Sequence, residues 1–127
     1  MSAGRRPRIL IADDFPDLLT EIGRLLTPDC EVVGSVGDGG ALFEAAERLQ
    51  PDLIVLDLNM PAVGGLEACR QIIKANPRVK VILMTAGRDT GLMGVALAAG
   101  ASGFIEKHAI DEDLLTAIKT ACANCEA

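Results

Sequence analysis

Short apolar runs that alternate with amphipathic segments constrain this chain more than any other feature of its sequence. Most of the runs are almost continuously apolar, which is typical of parallel strands that are buried on both faces. The sequence therefore predicts five short buried strands. They are expected at Ile9–Ala12, Val32–Val36, Leu53–Leu58, Val79–Met84 and Gly103–Ile105.

The segments between these runs carry apolar residues at helical spacing. Three of the segments end just before a proline, which cannot continue a helix: Pro28, Pro51 and Pro77. The fourth segment, from Leu92 to Ala99, is a weaker helix because Gly94 costs roughly 1 kcal/mol relative to alanine. Asp111 is the expected N-cap of the fifth helix.

The resulting order is a strand followed by a helix, repeated five times, with no linker or repeat between the units. It predicts an α/β fold in which residues 1–127 form a single (βα)5 doubly wound domain around a parallel five-stranded sheet. Ligands of such sheets bind beyond the carboxyl ends of the strands, where the strand order reverses. The ends of the first and third strands are therefore the first place to look for a site.

Charge and composition argue against several classes of protein. The net charge is −6, and an acidic domain without a basic stripe is a poor candidate for binding nucleic acid by itself. No apolar run approaches the roughly 20 residues of a membrane-spanning helix, and no signal peptide opens the chain. We therefore expect no membrane contact and a cytoplasmic location. There, Cys122 and Cys125 are expected to be structural thiols, since no second ligand pair accompanies them.

Three aspartates fall at the ends of two predicted strands. Asp13 and Asp14 follow the first strand, and Asp57 lies near the end of the third. If these strands are neighbours, each like-charge pair at about 4 Å would cost around 4 kcal/mol at an effective dielectric constant of about 20. A cation would offset this repulsion, and Mg²⁺ suits such oxygen ligands. The alternative is that the three residues are ordinary loop aspartates.

Two further polar residues lie at the ends of later strands. Thr85 comes directly after the fourth apolar run, and Lys107 follows the fifth. A hydroxyl and an ammonium beside a cluster of carboxylates and Mg²⁺ would form a site for a phosphoryl group, because phosphoryl transfer depends mainly on positioning and electrostatics. Either residue alone would more often be an exposed polar residue without a functional role.

The strongest local motif is Asp57-Leu-Asn-Met60-Pro61-Ala-Val-Gly-Gly65-Leu-Glu. With the acidic pair, the Thr85-Ala86 step and Lys107, it resembles the receiver domain of bacterial two-component response regulators. The resemblance extends from about Arg8 to Ala123, nearly the whole chain. It implies a flavodoxin-like fold with the strand order 2-1-3-4-5.

The same resemblance implies that Asp57 accepts a phosphoryl group from a sensor histidine kinase or a phosphotransfer protein. Asp14, Asp57 and the backbone carbonyl of Asn59 would hold Mg²⁺, and Asp13 would contribute through a water molecule. Such a domain is not an enzyme toward other substrates; it catalyses only its own phosphorylation and dephosphorylation.

The resemblance also assigns a switch. Lys107 would pair with the phosphoryl group and Thr85 would move toward it, while Phe104 matches the family's switch aromatic. The alternative for Phe104 is a simple core residue. Activation is then expected to change the face made by the fourth helix, the fifth strand and the fifth helix, and the domain can form a homodimer.

The output of the signal is less constrained by the sequence. The stretch from Ala99 to Lys107 looks most like receivers of LuxR/NarL-type transcriptional regulators, which reach DNA only through an output domain that is not among these 127 residues. We expect this chain to be the N-terminal receiver of such a regulator. The alternative is a stand-alone response regulator that acts through protein–protein contacts.

Three other functions can share parts of this pattern. A flavin-binding module would place a Ser/Thr-rich phosphate loop after the first strand, whereas Asp13-Asp14 would repel a phosphate there. A phosphatase with an aspartate nucleophile would carry Asp-x-Asp after its first strand, together with a cap domain. A P-loop nucleotidase is excluded because no Gly-x-x-x-x-Gly-Lys-Ser/Thr is present.

Overall fold

The computed structural model describes residues 6–59, 64–86 and 91–126. Five parallel strands form a single sheet at its centre, as the apolar runs predict. The strands are β1 (Arg8–Ala12), β2 (Glu31–Val36), β3 (Leu53–Asp57), β4 (Lys80–Thr85) and β5 (Gly103–Glu106).

A helix follows each strand. The helices are α1 (Pro16–Leu26), α2 (Gly39–Leu49), α3 (Gly65–Ala75), α4 (Gly91–Ala98) and α5 (Ile110–Glu126). A single 3₁₀ turn, Lys107–Ala109, joins β5 to α5. None of the described helices combines the length and the apolar character that crossing a membrane requires.

The strand order is β2-β1-β3-β4-β5, so the order implied by the resemblance is confirmed. The order reverses between β1 and β3, which pair in parallel with Ala12 opposite Leu56. One residue further along β3, Asp57 lies opposite Met84 of β4. The aspartates that follow β1 and end β3 therefore meet at the reversal point, where this class of sheet binds its ligands.

Alternation of side chains divides the core into two layers, one on each face of the sheet. On one face, α2, α3 and α4 cover residues such as Leu10, Ile54 and Leu83. On the other face, α1 and α5 cover residues such as Ile11 and Val55. All five residues of β3 are buried, as expected for a central strand covered on both sides.

Local chemistry explains several helix ends. The carboxylate of Asp38 caps α2 by accepting a hydrogen bond from the N–H of Ala41 at 2.8 Å. The expected capping role of Asp111 is wrong, because α5 begins one residue earlier, at Ile110, and Asp111 lies in its first turn. The 3₁₀ turn runs directly into the helix, and this start buries the side chain of Ile110.

Candidate functional site

The loop after β1 and the end of β3 bring three aspartates together. Asp13 is fully buried and Asp57 is 2% exposed, whereas Asp14 is exposed. One carboxylate oxygen from each residue lies within 4.8 Å of the other two. The predicted convergence of the three carboxylates is confirmed, so they are not separate loop residues.

Backbone contacts fix the first of these carboxylates. The N–H of Phe15 donates to Asp13 Oδ1 at 2.8 Å, just before α1 begins. The N–H of Asp13 in turn donates to the carbonyl of Val36 at the end of β2. Asp13 is therefore held by two neighbouring elements, with its second carboxylate oxygen facing the interior of the site.

Lys107, directly after β5, brings an ammonium group to the cluster. Its Nζ lies 2.7 Å from Asp13 Oδ2 and 3.3 Å from Asp57 Oδ1. The contact with Asp13 is an ion pair rather than a well-directed hydrogen bond, because the fully buried Oδ2 atom has no hydrogen-bond partner among the described residues. Three carboxylates against one ammonium leave a formal charge of −2.

Two opposing effects act on the pKa of Lys107. Burial disfavours the charged form and would lower the pKa, but the close pairing with Asp13 and the negative charge of Asp57 outweigh it. The net result is a pKa above the ordinary value of 10.5. The side chain is therefore a fixed positive charge at neutral pH, 23% exposed at the mouth of the site.

Hydrogen bonds connect the start of the β3–α3 loop to Asp57 and to β4. The N–H of Asn59 donates to Asp57 Oδ1 at 3.2 Å, and the N–H of Leu58 donates to the carbonyl of Met84. Residues 60–63, which carry the Met60-Pro61 part of the sequence motif, lie outside the described residues. Gly65, where α3 begins, donates its N–H to the carbonyl of Leu58 at 2.8 Å.

Sequence reasoning missed the role of Gly65, which it considered only as one residue of the motif that begins at Asp57. A Cβ atom at this position would lie 2.5 Å from Leu58 Cα and 2.6 Å from the carbonyl oxygen of Asp57. The glycine is thus required by a close approach of two backbones rather than by flexibility. Only its place in the Asp57–Gly65 motif hinted at this.

Thr85 and Phe104 lie on the face of the sheet that is covered by α4. Thr85 is 3% exposed at the end of β4, two residues after Leu83 and therefore on the same face. Leu83 is the register partner of Phe104, whose half-buried ring packs against that core layer. The arrangement is compatible with the switch role of Phe104 and with that of a core residue.

The donor set fits a small hard cation. Carboxylate oxygens are ligands that Mg²⁺ prefers, and the site has an uncompensated formal charge of −2. The residues present are therefore suited to a divalent cation.

Two of the cysteines are buried away from this cluster. Burial raises the pKa of the Cys30 thiol, with a contribution from the neighbouring Asp29, and it raises that of Cys69 to about 11. Neither thiol is activated at neutral pH. Cys122 is half-buried, and the side chain of Cys125 lies outside the described residues, so the expectation for this pair stays a prediction.

Comparisons with known families and with curated proteins all find similarity to response regulators. The profile of the response regulator receiver domain matches residues 9–119. The chain is 37% identical over 125 residues to the nitrate/nitrite response regulator protein NarL of Escherichia coli K12, covering 97% of this chain and 58% of NarL. It is 32% identical to the response regulator GacA of Pseudomonas aeruginosa, covering 88% of this chain and 53% of GacA. The chain thus spans just over half the length of these two relatives.

Solved structures agree with the sequence comparisons. A LuxR-family two-component response regulator from Aurantimonas sp. SI85-9A1 superimposes with a TM-score of 0.88 at 30% identity, covering 94% of this chain and 86% of that one. The signal receiver domain of the putative response regulator NarL from Mycobacterium tuberculosis gives a TM-score of 0.82 at 26% identity, with coverages of 97% and 98%.

Proposed function

Because the chain belongs to the response regulator receiver family of two-component signalling, with relatives of the LuxR/NarL type, we propose that it accepts a phosphoryl group on Asp57. The observation that carries the proposal is the buried carboxylate of Asp57, which ends β3 within reach of both an ammonium and two further carboxylates.

In the proposed reaction an oxygen of Asp57 attacks the phosphorus atom of a phosphohistidine on a sensor histidine kinase or a phosphotransfer protein in the cytoplasm. The P–N bond of the donor breaks as the P–O bond of an acyl phosphate forms, and the released imidazole takes up a proton. Lys107 sits 3.3 Å from Asp57 Oδ1, where its positive charge offsets the charge on the phosphoryl oxygens. The hydroxyl of Thr85 would donate a hydrogen bond to one of those oxygens.

We assign the metal ligands by the same reasoning. Asp14, Asp57 and the carbonyl of Asn59 would hold Mg²⁺, and Asp13 would contribute through a water molecule. Bound Mg²⁺ would supply positive charge that offsets the negative charge of the carboxylates and of the phosphoryl oxygens. Asp13 also keeps Lys107 in place, since their charged atoms are 2.7 Å apart.

The domain organisation and output belong to the same proposal. Residues 1–127 form the receiver, which catalyses only its own phosphorylation and dephosphorylation. We infer that it is the N-terminal receiver of a LuxR/NarL-type transcriptional regulator, because its relatives NarL and GacA are about twice its length. A stand-alone regulator that acts through protein contacts, with or without homodimerisation, is the alternative.

Mass spectrometry of the protein treated with Mg²⁺ and acetyl phosphate tests the acceptor. We expect one phosphoryl adduct on the wild type and none on Asp57→Asn, whereas the control Asp111→Asn, in the exposed first turn of α5, should label normally. A Mg²⁺-dependent adduct that survives Asp57→Asn would overturn the assignment.

A further inference from the structure

Gly65 connects the first turn of α3 to the backbone of the acceptor strand. Its N–H donates to the carbonyl of Leu58 at 2.8 Å, and its Cα has no room for a side chain on the side that faces this strand. A Cβ there would lie 2.5 Å from Leu58 Cα, 2.6 Å from the oxygen of Asp57 and 2.9 Å from the carbonyl carbon of Leu58. All three atoms belong to backbone, so no rotamer change can relieve the contact.

The contact with Gly65 holds Leu58, which is also held by β4. The N–H of Leu58 donates to the carbonyl of Met84 on β4, so Leu58 is held between β4 and the start of α3. Asn59 follows immediately, and its N–H donates to the Asp57 carboxylate at 3.2 Å. A displacement of Leu58 would therefore shift the Asp57 carboxylate and the Asn59 carbonyl relative to each other.

We propose that Gly65 is a positioning residue for the cation site. Because it has no side chain, α3 can pack closely against residues 57–59 and hold them in the arrangement in which Asp57 and Asn59 can bind the same cation. The inference rests on the proposed function, which supplies the two ligands. It adds that this part of the site is preorganised by α3 before any cation binds. Residues that support metal ligands commonly change metal affinity by about ten- to a hundredfold when they are replaced.

The neighbouring glycine provides a matched control. A Cβ at Gly64 would meet no atom within 4 Å, so Gly64→Ala adds the same methyl group one residue away without a clash. Ala68→Gly provides a second control, because it weakens the buried side of α3 without placing an atom against residues 57–59. It reports what loss of helix stability alone does to the site.

Mg²⁺ affinity is the decisive measurement, taken from amide chemical shifts in an NMR titration well below the unfolding midpoint of each variant. We expect Gly65→Ala to bind Mg²⁺ at least about tenfold more weakly than the wild type, with Gly64→Ala and Ala68→Gly within about twofold. If Gly65→Ala binds Mg²⁺ as the wild type does while its unfolding temperature falls, Gly65 has only a structural role. If the wild type itself does not bind Mg²⁺, the result contradicts the proposed function, and with it the positioning role of Gly65.

Hydrogen exchange of the wild type keeps the inference testable if Gly65→Ala does not fold. The proposal requires the Gly65 amide, which donates to Leu58, to be protected without Mg²⁺ and to change little when Mg²⁺ is added. An amide that is unprotected in the metal-free protein and gains strong protection with Mg²⁺ would mean that the cation orders the loop, and the proposal would be overturned.

Discussion

At the scale of single residues, Lys107 has a structural role beside the function that we propose for it. Its ammonium pairs with two carboxylates that are almost entirely buried, so its removal leaves negative charge without a partner. Because this pairing raises the pKa of Lys107 in the folded protein above 10.5, it stabilises the fold fully below that pH. The stabilisation is lost as the pH rises through the folded-state pKa.

We therefore predict that Lys107→Met lowers the free energy of unfolding by about 2 kcal/mol at pH 7, since a charged partner of a buried group is lost. The deficit should begin to shrink above pH 10.5, where the unfolded wild type loses this charge, and should disappear as the pH rises through the higher pKa of the folded state. Urea denaturation across this pH range measures it. Lys119→Met is the control, because Lys119 is 62% exposed and 3.9 Å from Asp29, and should cost less than about 1 kcal/mol. A constant deficit up to pH 12 or beyond would contradict the linkage.

Asp14 differs from its two partners because it is exposed. We predict that Asp14→Ala abolishes Mg²⁺-dependent phosphorylation while stability stays level or rises, since one of three crowded carboxylates is gone. Labelling with acetyl phosphate and thermal unfolding measure the two effects. Asp17→Ala, in the first turn of α1, should label like the wild type. Full labelling of Asp14→Ala would remove Asp14 from the proposed ligands.

The convergence of Asp13, Asp14 and Asp57 could be predicted from the sequence because strand ends of a parallel sheet share one edge. The contact between Lys107 and Asp13 could not, since it depends on the course of a long side chain across that edge. The close approach at Gly65 could not be predicted either, because a glycine in a sequence does not indicate which backbone segment packs against it.

At the scale of elements, α4 differs from the other helices. Its exposed side chains include the large apolar residues Met93, Val95 and Leu97, while Ala96 is buried against the sheet. The helix ends at Ala98, and Gly100, two residues beyond it, has a φ of +102°, a conformation that L-residues rarely adopt. The sequence predicted a weak helix here, and the helix has only eight residues.

The two glycines of this region should respond in opposite ways to alanine. Gly94→Ala meets no atom within 4 Å and should stabilise the protein by about 0.4–1 kcal/mol. Gly100→Ala should destabilise it by more than about 1 kcal/mol, because of its φ and because a Cβ would lie 2.8 Å from Ile73 Cδ1. Thermal unfolding compares them; a stabilising Gly100→Ala would be inconsistent with the left-handed helix end.

The strands were predicted to within about a residue, because burial on both faces leaves a continuous apolar pattern. The fourth strand shifted by one residue, to Lys80–Thr85, since pairing of Thr85 with Glu106 of β5 extends it beyond the last pair that it forms with β3. The start of α5 was mispredicted because the 3₁₀ turn before it has no signature that a capping rule detects.

At the scale of the whole molecule, the sheet divides the helices into two groups. Side chains at the carboxyl ends of the strands face either the core layer of α2, α3 and α4 or the layer of α1 and α5. Thr85 and Phe104 face the layer of α4, whereas Ile105 packs in the layer of α1 and α5. We expect a change at Asp57 to reach the surface through the α4 layer, by way of Thr85 and Phe104. Such coupling requires an element with two arrangements of similar energy, for which the short α4 is suited.

We predict that beryllofluoride with Mg²⁺ changes hydrogen exchange at residues 91–107 as well as around Asp57. The reason is that Ala96 is the one buried side chain among residues 93–98 of α4, so we expect a low free energy of local opening. Asp57→Asn treated in the same way is the control and should show no change. Changes confined to the surroundings of Asp57 would mean that the signal leaves by another face.

The exposed apolar side chains of α4 also have an evolutionary consequence. The outward positions Met93, Val95 and Leu97 contribute little to the core, so selection for folding does not fix their identity. Mutations at these positions can change which surfaces α4 contacts without disturbing the carboxylates at the edge of the sheet. A lineage could thus acquire a new downstream target by drift along one short helix, while the chemistry that receives the signal is inherited unchanged.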